Sequence, residues 1–406
     1  MGIDVVGNCD CSAGLKMADP EVSVVMPCLN ESLTLRTCIG KAQADLSAQG
    51  ISHEIVIADN GSTDGSQQIA TDAGARVIDV PIKGYGGALM GGIHAARGRF
   101  VIMGDSDDSY DFANIHPFVH KLREGHDLVM GNRFAGGIEK GAMPFLHKYL
   151  GNPVLTFIGR LLFKSPCRDF HCGLRGFSKV VFQQLNLQTT GMEFASEMVI
   201  KATMKGLRIG EVPITLHKDG RSRPPHLRSW RDGWRHLRFM LIYSPRWLFL
   251  IPGLVVAVLS GLLAVFLYFS SLHIGKVTLD TGTMMLAAMG LLAGTHMAAQ
   301  AVAAKIFALG AGLVPADPRF TSLFRFFNLE KGIFLGVLFL VAGAYFVGRS
   351  ALMWQEQGFG ELSYSENMRN IIAGGTLIVL GIQAISVSFF LSVLGLQTKR
   401  TTPPAL

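Results

Sequence analysis

Short apolar runs alternate with amphipathic or glycine-opened stretches through the first half of the chain. Val22–Met26 is a β-branched run stopped by Pro27, and Glu54–Ala58, Arg76–Val80, Phe100–Met103 and Asp127–Met130 repeat the theme before Ile209–Leu216 closes it. Between them the spacing predicts helices over about Leu33–Ala48 (behind an Asn30-Glu31-Ser32 cap), Ser66–Ala73, Gly84–Arg97 and Gly191–Lys205. Strands alternating with helices predict a parallel sheet whose ligands sit at the carboxyl ends of the strands.

The pattern changes after Pro225. His226–Arg246 is basic and amphipathic, with Trp230 and Trp234 among Arg228, Arg231, Arg235 and Arg238, as suits a helix in the headgroup layer. Four apolar segments follow, about 247–269, 283–309, 332–352 and 371–396. Each is long enough to cross a bilayer, which takes about 20 residues. The expected plan is therefore a tail (1–20), a catalytic domain (21–225), an interfacial helix (226–246), a four-span membrane domain (247–396) and a short tail (397–406).

Composition agrees with this split. The chain of 406 residues is 49% hydrophobic and 17% charged, with a mean hydropathy of +0.34, and the apolar excess lies in the C-terminal part. A net charge of +7 points to anionic partners, phosphates or a membrane surface. Nucleic acid is excluded as a partner, because no basic run interleaves with aromatics as a strand-binding face requires. Arg319, Arg325 and Lys331 between spans two and three, with Lys399 and Arg400 in the tail, join the basic 226–246 helix in placing the catalytic domain and both termini in the cytoplasm, at a bacterial inner membrane. The six cysteines (9, 11, 28, 38, 167 and 172) form no C-x-x-C pair and read as free thiols in a reducing compartment. The first twenty residues have no apolar h-region and so do not read as a signal peptide.

The chemistry concentrates after Phe100–Met103, where Asp105, Asp107, Asp108 and Asp111 crowd one strand end. Such carboxylates repel one another unless a cation holds them, and Asp suits Mg²⁺ or Mn²⁺ with positions left for phosphate oxygens. The alternative is an acidic turn that only caps the strand. The loop Asp59-Asn60-Gly61-Ser62-Thr63-Asp64-Gly65 offers hydrogen-bonding groups for a base and ribose, and Gly84, Gly86 and Gly87 let backbone approach a ligand. With Leu89 at the third glycine position and no Gly-Lys-Ser/Thr, they spell neither a dinucleotide fingerprint nor a P-loop. Arg133, Arg175, Lys218, Arg221 and Arg223 are candidate cations for an anionic substrate, each alternatively a surface or ion-pair residue.

Pro27-Cys28-Leu29-Asn30-Glu31, Asp59 to Gly65, Asp105-Ser106-Asp107, Gly131-Asn132-Arg133-Phe134 and Asp169…Arg175-Gly176-Phe177 together resemble the inverting glycosyltransferases of family 2. With the C-terminal spans, they look like the polyprenyl-phosphate hexosyltransferases of the dolichyl-phosphate mannose synthase type. The resemblance covers about 22–252 and implies an α/β GT-A fold with a Rossmann-like nucleotide-binding half and a mixed sheet, followed by four transmembrane helices. It implies transfer of a hexose from UDP-glucose or GDP-mannose to undecaprenyl or dolichyl phosphate, with Mg²⁺ or Mn²⁺ on Asp105 and Asp107. Pro27, Asn30, Glu31, Asp59, Gly84, Gly86 and Asp105 would bind the nucleotide sugar. Arg133, Lys218, Arg221 and Arg223 would bind the acceptor phosphate, and Arg133 and Arg175 would join the two aspartates as catalytic groups. Glu193 and Glu197 would hold sugar hydroxyls or brace the arginines. A second copy of the chain is a further candidate partner. The chain departs from the family in Asn60, where a second Asp is usual, in Tyr85, often Lys, and in Ser109, usually Gln. A processive polysaccharide synthase is the rival enzyme, but Tyr243-Ser-Pro-Arg-Trp247 lacks the Gln of its Gln-x-x-Arg-Trp motif. A membrane scaffold or lipid carrier with a degenerate transferase domain is the non-enzyme rival, and it predicts broken carboxylates.

Overall fold

The computed structural model describes residues 19–220, 229–311, 313–314, 329–360 and 364–398. The chain divides into two compact units, Met1–His236 and Leu237–Leu406.

The first unit is built on a seven-stranded sheet. Its strands are β1 (Val22–Cys28), β2 (His53–Asp59), β3 (Arg76–Asp79), β4 (Phe100–Met103), β5 (Leu128–Asn132), β6 (Arg175–Ser178) and β7 (Ile209–Pro213), in the spatial order β3-β2-β1-β4-β6-β5-β7. All neighbours run parallel except β6, which lies antiparallel to both β4 and β5. Val24, Val25, Met26, Ile57, Val101, Ile102, Met103 and Val129 are fully buried, as continuous apolar strands are when helices cover both sheet faces. Those helices are α1 (Leu35–Ala48), α2 (Ser66–Asp72), α3 (Tyr85–Ala95), α4 (His116–Arg123), the single turn α5 (Arg133–Gly136), α6 (Asn152–Phe163), α7 (Lys179–Leu185) and α8 (Phe194–Met204).

Helices α4, α6 and α7 add to the expected elements, β7 ends at Pro213, and two strands differ from the expectation for physical reasons. Pro27 does not stop β1, which continues to Cys28. Cys28 turns its carbonyl to β2, accepting from Asn60 N–H, so alternation turns Pro27 toward β4. There the last β1–β4 pair is Val25↔Met103, and the missing N–H leaves no ladder bond unmade. The second difference is β6, read from sequence as part of a loop. Arg-Gly-Phe-Ser has no apolar run to announce a strand, and its burial comes from its place between β4 and β5.

The second unit is helical: α10 (Ile251–Phe269), α11 (Thr281–Gly310), α12 (Leu329–Glu356) and α13 (Tyr364–Thr398), with a hairpin of β8 (Leu272–Ile274) and β9 (Val277–Leu279) joining the first two. Helix α9 (Ser229–Ile242) precedes them and runs across the boundary between the units. Four segments, Arg246–Phe269, Thr281–Gly310, Leu329–Glu356 and Asn367–Gly395, are long and apolar enough to cross a membrane. Helices α12 and α13 touch backbone to backbone. A Cβ on Gly343 would stand 2.7 Å from the Gly374 carbonyl oxygen, and one on Gly381 2.7 Å from that of Gly336, the close approach that small residues permit between helices in lipid. At one end of this bundle Arg369 donates to Asp280 at 2.6 Å and to Ser271 at 2.9 Å, and Tyr268 donates to Asn370 at 2.9 Å. Within α11, His296 Nε2 lies 3.0 Å from Gln300 Nε2.

Candidate active site

The turn after β4 is tied to four distant segments of the chain. Ser106 donates its hydroxyl to the Pro27 carbonyl at 2.7 Å, and its own carbonyl accepts from Thr34 Oγ1 at 2.7 Å. Tyr110 Oη accepts from Gly173 N–H at 2.8 Å. The carbonyls of Asp107 and Ser109 accept from the backbone of Gly220 and His217 at 3.0 and 2.9 Å. The loops after β1, β4 and β7, with the segment before β6, thus meet at one sheet end.

This arrangement sorts the four carboxylates. Asp108 pairs with Lys41 on α1 at 2.7 Å, and Asp111 caps the short turn Phe112–Asn114 by accepting from Ala113 N–H. Both are structural. Asp107 is buried, with Oδ1 accepting from Ser109 N–H at 3.0 Å and Oγ at 2.6 Å. Asp105 is half-buried, and Tyr85 hydrogen-bonds it. Burial first, then the Asp105 charge, pushes the Tyr85 phenol well above its ordinary range, so it stays protonated as a donor. Among the described residues no cluster of three His, Cys, Asp or Glu side chains surrounds a metal position. Two carboxylates fit Mg²⁺ or Mn²⁺ only where water and diphosphate oxygens complete the sphere, as these hard ions allow. Ser109, where the family has Gln, holds Asp107.

The candidate nucleotide pocket lies beside it. Asp59 is fully buried at the end of β2, and its Oδ2 accepts from Gly61 N–H, Ser62 N–H and Gln67 at 3.1, 3.0 and 2.6 Å. Burial works against ionisation, yet these bonds, Ser62 first, hold the carboxyl below its ordinary range. Its Oδ1 is buried with no hydrogen-bond partner. Asn30, at φ 60°, turns its side chain back to accept from Thr63 N–H at 2.8 Å, and Glu31 N–H donates to Ser66. Asn60, where a second Asp is usual, ties down the following loop: it donates to the carbonyls of Val80 and Ile82 and accepts from Gly84 N–H, each at 2.9 Å. An aspartate could not make the two donor bonds. The glycines at the start of α3 admit the chain's own backbone. A Cβ on Gly84 would stand 2.5 Å from the Thr190 carbonyl oxygen, and one on Gly86 2.5 Å from that of Thr189. On the side a Cβ would occupy, the close approach at both glycines is made by the Thr189–Thr190 segment.

Of the candidate cations, Arg133 is buried at the mouth of α5 and clasps Asp169 through Nε and Nη2 at 2.7 Å each, with its backbone N–H adding 3.1 Å. This leaves Nη1 as the part of the guanidinium that Asp169 does not engage. Arg175 is fully buried, and Nε, Nη1 and Nη2 all donate to the backbone carbonyls of Cys172 and Ala195. It therefore braces the loop before β6 from behind, a correction to the substrate-facing place its motif suggested. Lys218 is exposed, two residues before the Gly220–Asp107 bond. Arg221 and Arg223 lie outside the described residues. Glu197 is fully buried, pairing with Lys201 at 2.7 Å and accepting from Gln188, Thr189 N–H and Thr189 Oγ1. It holds the loop that packs on Gly84 and Gly86. Glu193 stands 3.9 Å from Arg235.

Sequence reasoning named Tyr85 only as a departure and gave His171 no role. Both ring nitrogens of His171 are buried without a partner. Its ring lies 4.6 Å from that of His236. Burial, then His236, Arg133 and Arg175, keeps this imidazole well below its ordinary pKa and so neutral. Nothing in the spacing of residues signals this. The cysteines at 28, 38, 167 and 172 are free and buried, and burial pushes the thiols of Cys38 and Cys172 up to about 12.

A mixed seven-stranded sheet with an Asp-x-Asp turn at its carboxyl end defines a GT-A glycosyltransferase. Residues 23–185 match the model of glycosyl transferase family 2, and 302–395 that of the family 2 C-terminal transmembrane region. The low-salt glycan biosynthesis hexosyltransferase Agl6 of Haloferax volcanii is 36% identical over 380 residues, covering 93% of this chain and 89% of that one. A dolichyl-phosphate hexose transferase of the same organism is 30% identical over 195 residues, 48% of this chain and 82% of that one. Among solved structures, glucosyl-3-phosphoglycerate synthase from Mycobacterium tuberculosis with Mg²⁺ and UDP aligns over 55% of this chain and 79% of its own, at 22% identity and a TM-score of 0.44. The chain belongs to glycosyltransferase family 2 and is a membrane-embedded glycosyltransferase.

Proposed function

We propose that the chain transfers a hexose from a nucleotide diphosphate sugar, UDP-glucose or GDP-mannose, to the phosphate of a membrane polyprenyl phosphate, with inversion at the anomeric carbon. The observation that carries this reading is the Gly220–Asp107 bond of 3.0 Å. It ties the loop that carries Lys218 to the turn that carries the aspartates, which supports a donor diphosphate and an acceptor phosphate meeting at one sheet end.

The acceptor phosphate oxygen forms the new bond to the anomeric carbon as the bond to the donor diphosphate breaks, and the nucleoside diphosphate leaves. No general base is required, because a phosphate monoester with a second pKa of about 6 is largely a dianion at neutral pH. The donor's base or ribose meets the loop that Asp59 shapes through Gly61 and Ser62, with Pro27, Asn30 and Glu31 shaping the pocket. Asp105 and Asp107 hold Mg²⁺ or Mn²⁺, which when bound supplies positive charge to the departing diphosphate. Arg133, through Nη1, and Lys218, Arg221 and Arg223 place the acceptor phosphate in line with the anomeric carbon. Arg175 keeps the loop carrying Asp169, and so Arg133, in register. The catalytic domain lies on the cytoplasmic face.

The test is an assay of membranes carrying the full chain with a panel of labelled nucleotide sugars, with and without polyprenyl phosphate and with EDTA. Lipid-extractable sugar that forms only with acceptor and divalent metal supports the reading and names the donor. If no donor gives lipid-linked product, the reading fails.

A further inference from the structure

We infer that His116 and His120 on helix α4 bind one divalent transition-metal ion of the kind that takes imidazole ligands, Zn²⁺, Cu²⁺ or Ni²⁺. The run His116-Pro-Phe-Val-His120 sets two imidazoles at i and i+4, neighbours on one helix face and the spacing by which paired helical histidines hold zinc. Phe118, Val119 and Leu122 bury the other side of α4, while the two histidines line an open cavity of about 370 Å³. Their ring centres lie 5.9 Å apart. With nitrogen–metal bonds of about 2 Å, each ring centre stands about 3 Å from a shared ion, so rings bridged by one ion lie within about 6 Å of each other. The pair meets that limit, and His120, being exposed, has room to close further.

His116 is already oriented as a ligand. Asp45 on α1 is buried, and its Oδ2 accepts from the N–H groups of Ile115 and His116 at 2.9 Å each. Its Oδ1 accepts from His116 Nδ1 at 2.8 Å. The proton therefore sits on Nδ1 and the Nε2 lone pair is the one left for a metal, the carboxylate–histidine arrangement that positions metal ligands. Capping the start of α4 needs only Oδ2, so it does not account for the imidazole held at Oδ1. Glu211 also lines the cavity, but both its oxygens are engaged, by Arg168 N–H and by Asn132 Nδ2. Water then completes the coordination sphere. Nitrogen ligands select Zn²⁺, Cu²⁺ or Ni²⁺, whereas the carboxylates of Asp105 and Asp107 suit Mg²⁺ or Mn²⁺. Lys41, one turn before Asp45 on α1, pairs with Asp108 at 2.7 Å. An ion on His116 thus strengthens the grip of α1 on the stretch from the acidic turn to α4. The site does not depend on the proposed reaction.

The test uses the full chain in detergent micelles, without a histidine tag and with Cys9 and Cys11 replaced by Ser. It is titrated with Cu²⁺ in the presence of excess Mg²⁺, which keeps the carboxylate position supplied, and the bound Cu²⁺ is read by pulsed electron paramagnetic resonance. The chain carries 12 histidines, so the variants assign the signal. The wild type should bind one Cu²⁺ with the signature of two imidazoles, displaced by Zn²⁺, and Zn²⁺ should raise the melt. Asp45→Asn, which keeps an oxygen for the backbone but loses the carboxylate, should weaken binding by about 10–100-fold. His120→Ala should weaken it further and leave one imidazole on the ion, with the metal-free melt unchanged because His120 is exposed. His94→Ala, at an exposed histidine of α3, should change nothing. A two-imidazole signal that survives His120→Ala at wild-type affinity overturns the inference, as does a wild type that binds no Cu²⁺ in excess Mg²⁺. Binding is read without turnover, so its failure and that of the proposed reaction are distinguishable.

Discussion

Gly173→Ala is a one-carbon test of the site's geometry. A Cβ at this position would stand 2.9 Å from Oδ2 of Asp105 and 3.0 Å from Oη of Tyr110. Against Oδ2 that is about 0.5 Å inside ordinary van der Waals contact. Gly173 does not have a positive φ, so the change acts through space rather than through backbone strain. Tyr110 is held by Gly173 N–H, whereas Asp105 sits in a half-buried turn, so the aspartate gives way. A displacement of 1 Å in a reacting constellation costs about 100-fold, so half of that predicts roughly a tenfold fall in kcat/KM. The metal concentration for half activity should rise as well, by about tenfold, because ligand orientation governs affinity. The assay is lipid-linked hexose formation titrated with Mg²⁺ or Mn²⁺, with a thermal melt alongside. Wild-type turnover at wild-type metal concentration would show that Asp105 is not a working ligand. A melt lowered in proportion to the activity would show that the change acts through folding instead.

Four further outcomes are expected. Asp107→Asn keeps the acceptor for Ser109 but removes the carboxylate charge that the proposed metal site needs, so turnover should fall by about 10²–10³-fold with an unchanged melt. Asp169→Ala leaves the Arg133 guanidinium buried without its counter-charge and should cost about 3–5 kcal/mol in denaturant unfolding, most of it recovered in the Arg133→Leu/Asp169→Leu double variant. His171→Leu removes two unpartnered buried nitrogens and should leave stability unchanged or raised by about 1 kcal/mol; a clear loss would mean that ordered water satisfies them. Burial opposes ionisation of Asp64, but hydrogen bonds from Ser66 and Ser32 hold its carboxyl at about 2. Its folded pKa being the lower one, its stabilisation is full above about pH 4 and is lost as pH falls through 2. On this exposed loop it is worth at most about 1 kcal/mol, and Asp64→Asn should remove that part of the acid dependence of the melt.

The apolar runs make six of the seven strands and the four spans legible, because strands covered on both faces and helices in lipid must be apolar along their length. Three features escaped because their cause is tertiary. β6 is a strand only because β4 and β5 flank it, and its Arg175 is buried by donating to carbonyls, which no hydrophobic pattern reveals. The four aspartates after β4 look equivalent in sequence, and only the fold brings Lys41 to Asp108 and an N–H to Asp111. The glycines of α3 do announce a close approach, but the visitor is Thr189–Thr190, about a hundred residues on in the sequence. Helices α4, α6 and α7 are legible only once a helix is assumed there, from apolar positions such as Phe118 and Leu122 or Phe157 and Leu161.

The site's construction also explains why a crowded acidic turn persists in a folded domain. Two of its four charges are neutralised or capped locally. The two that remain are set by the Thr34 hydroxyl and the N–H groups of Gly173, His217 and Gly220 donating to this turn and by the Ser106 hydroxyl on Pro27, while the Tyr85 phenol and Ser109 address the carboxylates themselves. Those contacts come from segments more than sixty residues away in sequence on either side, apart from Ser109 and Tyr85. The positions of Asp105 and Asp107 are therefore set by the fold of the whole unit.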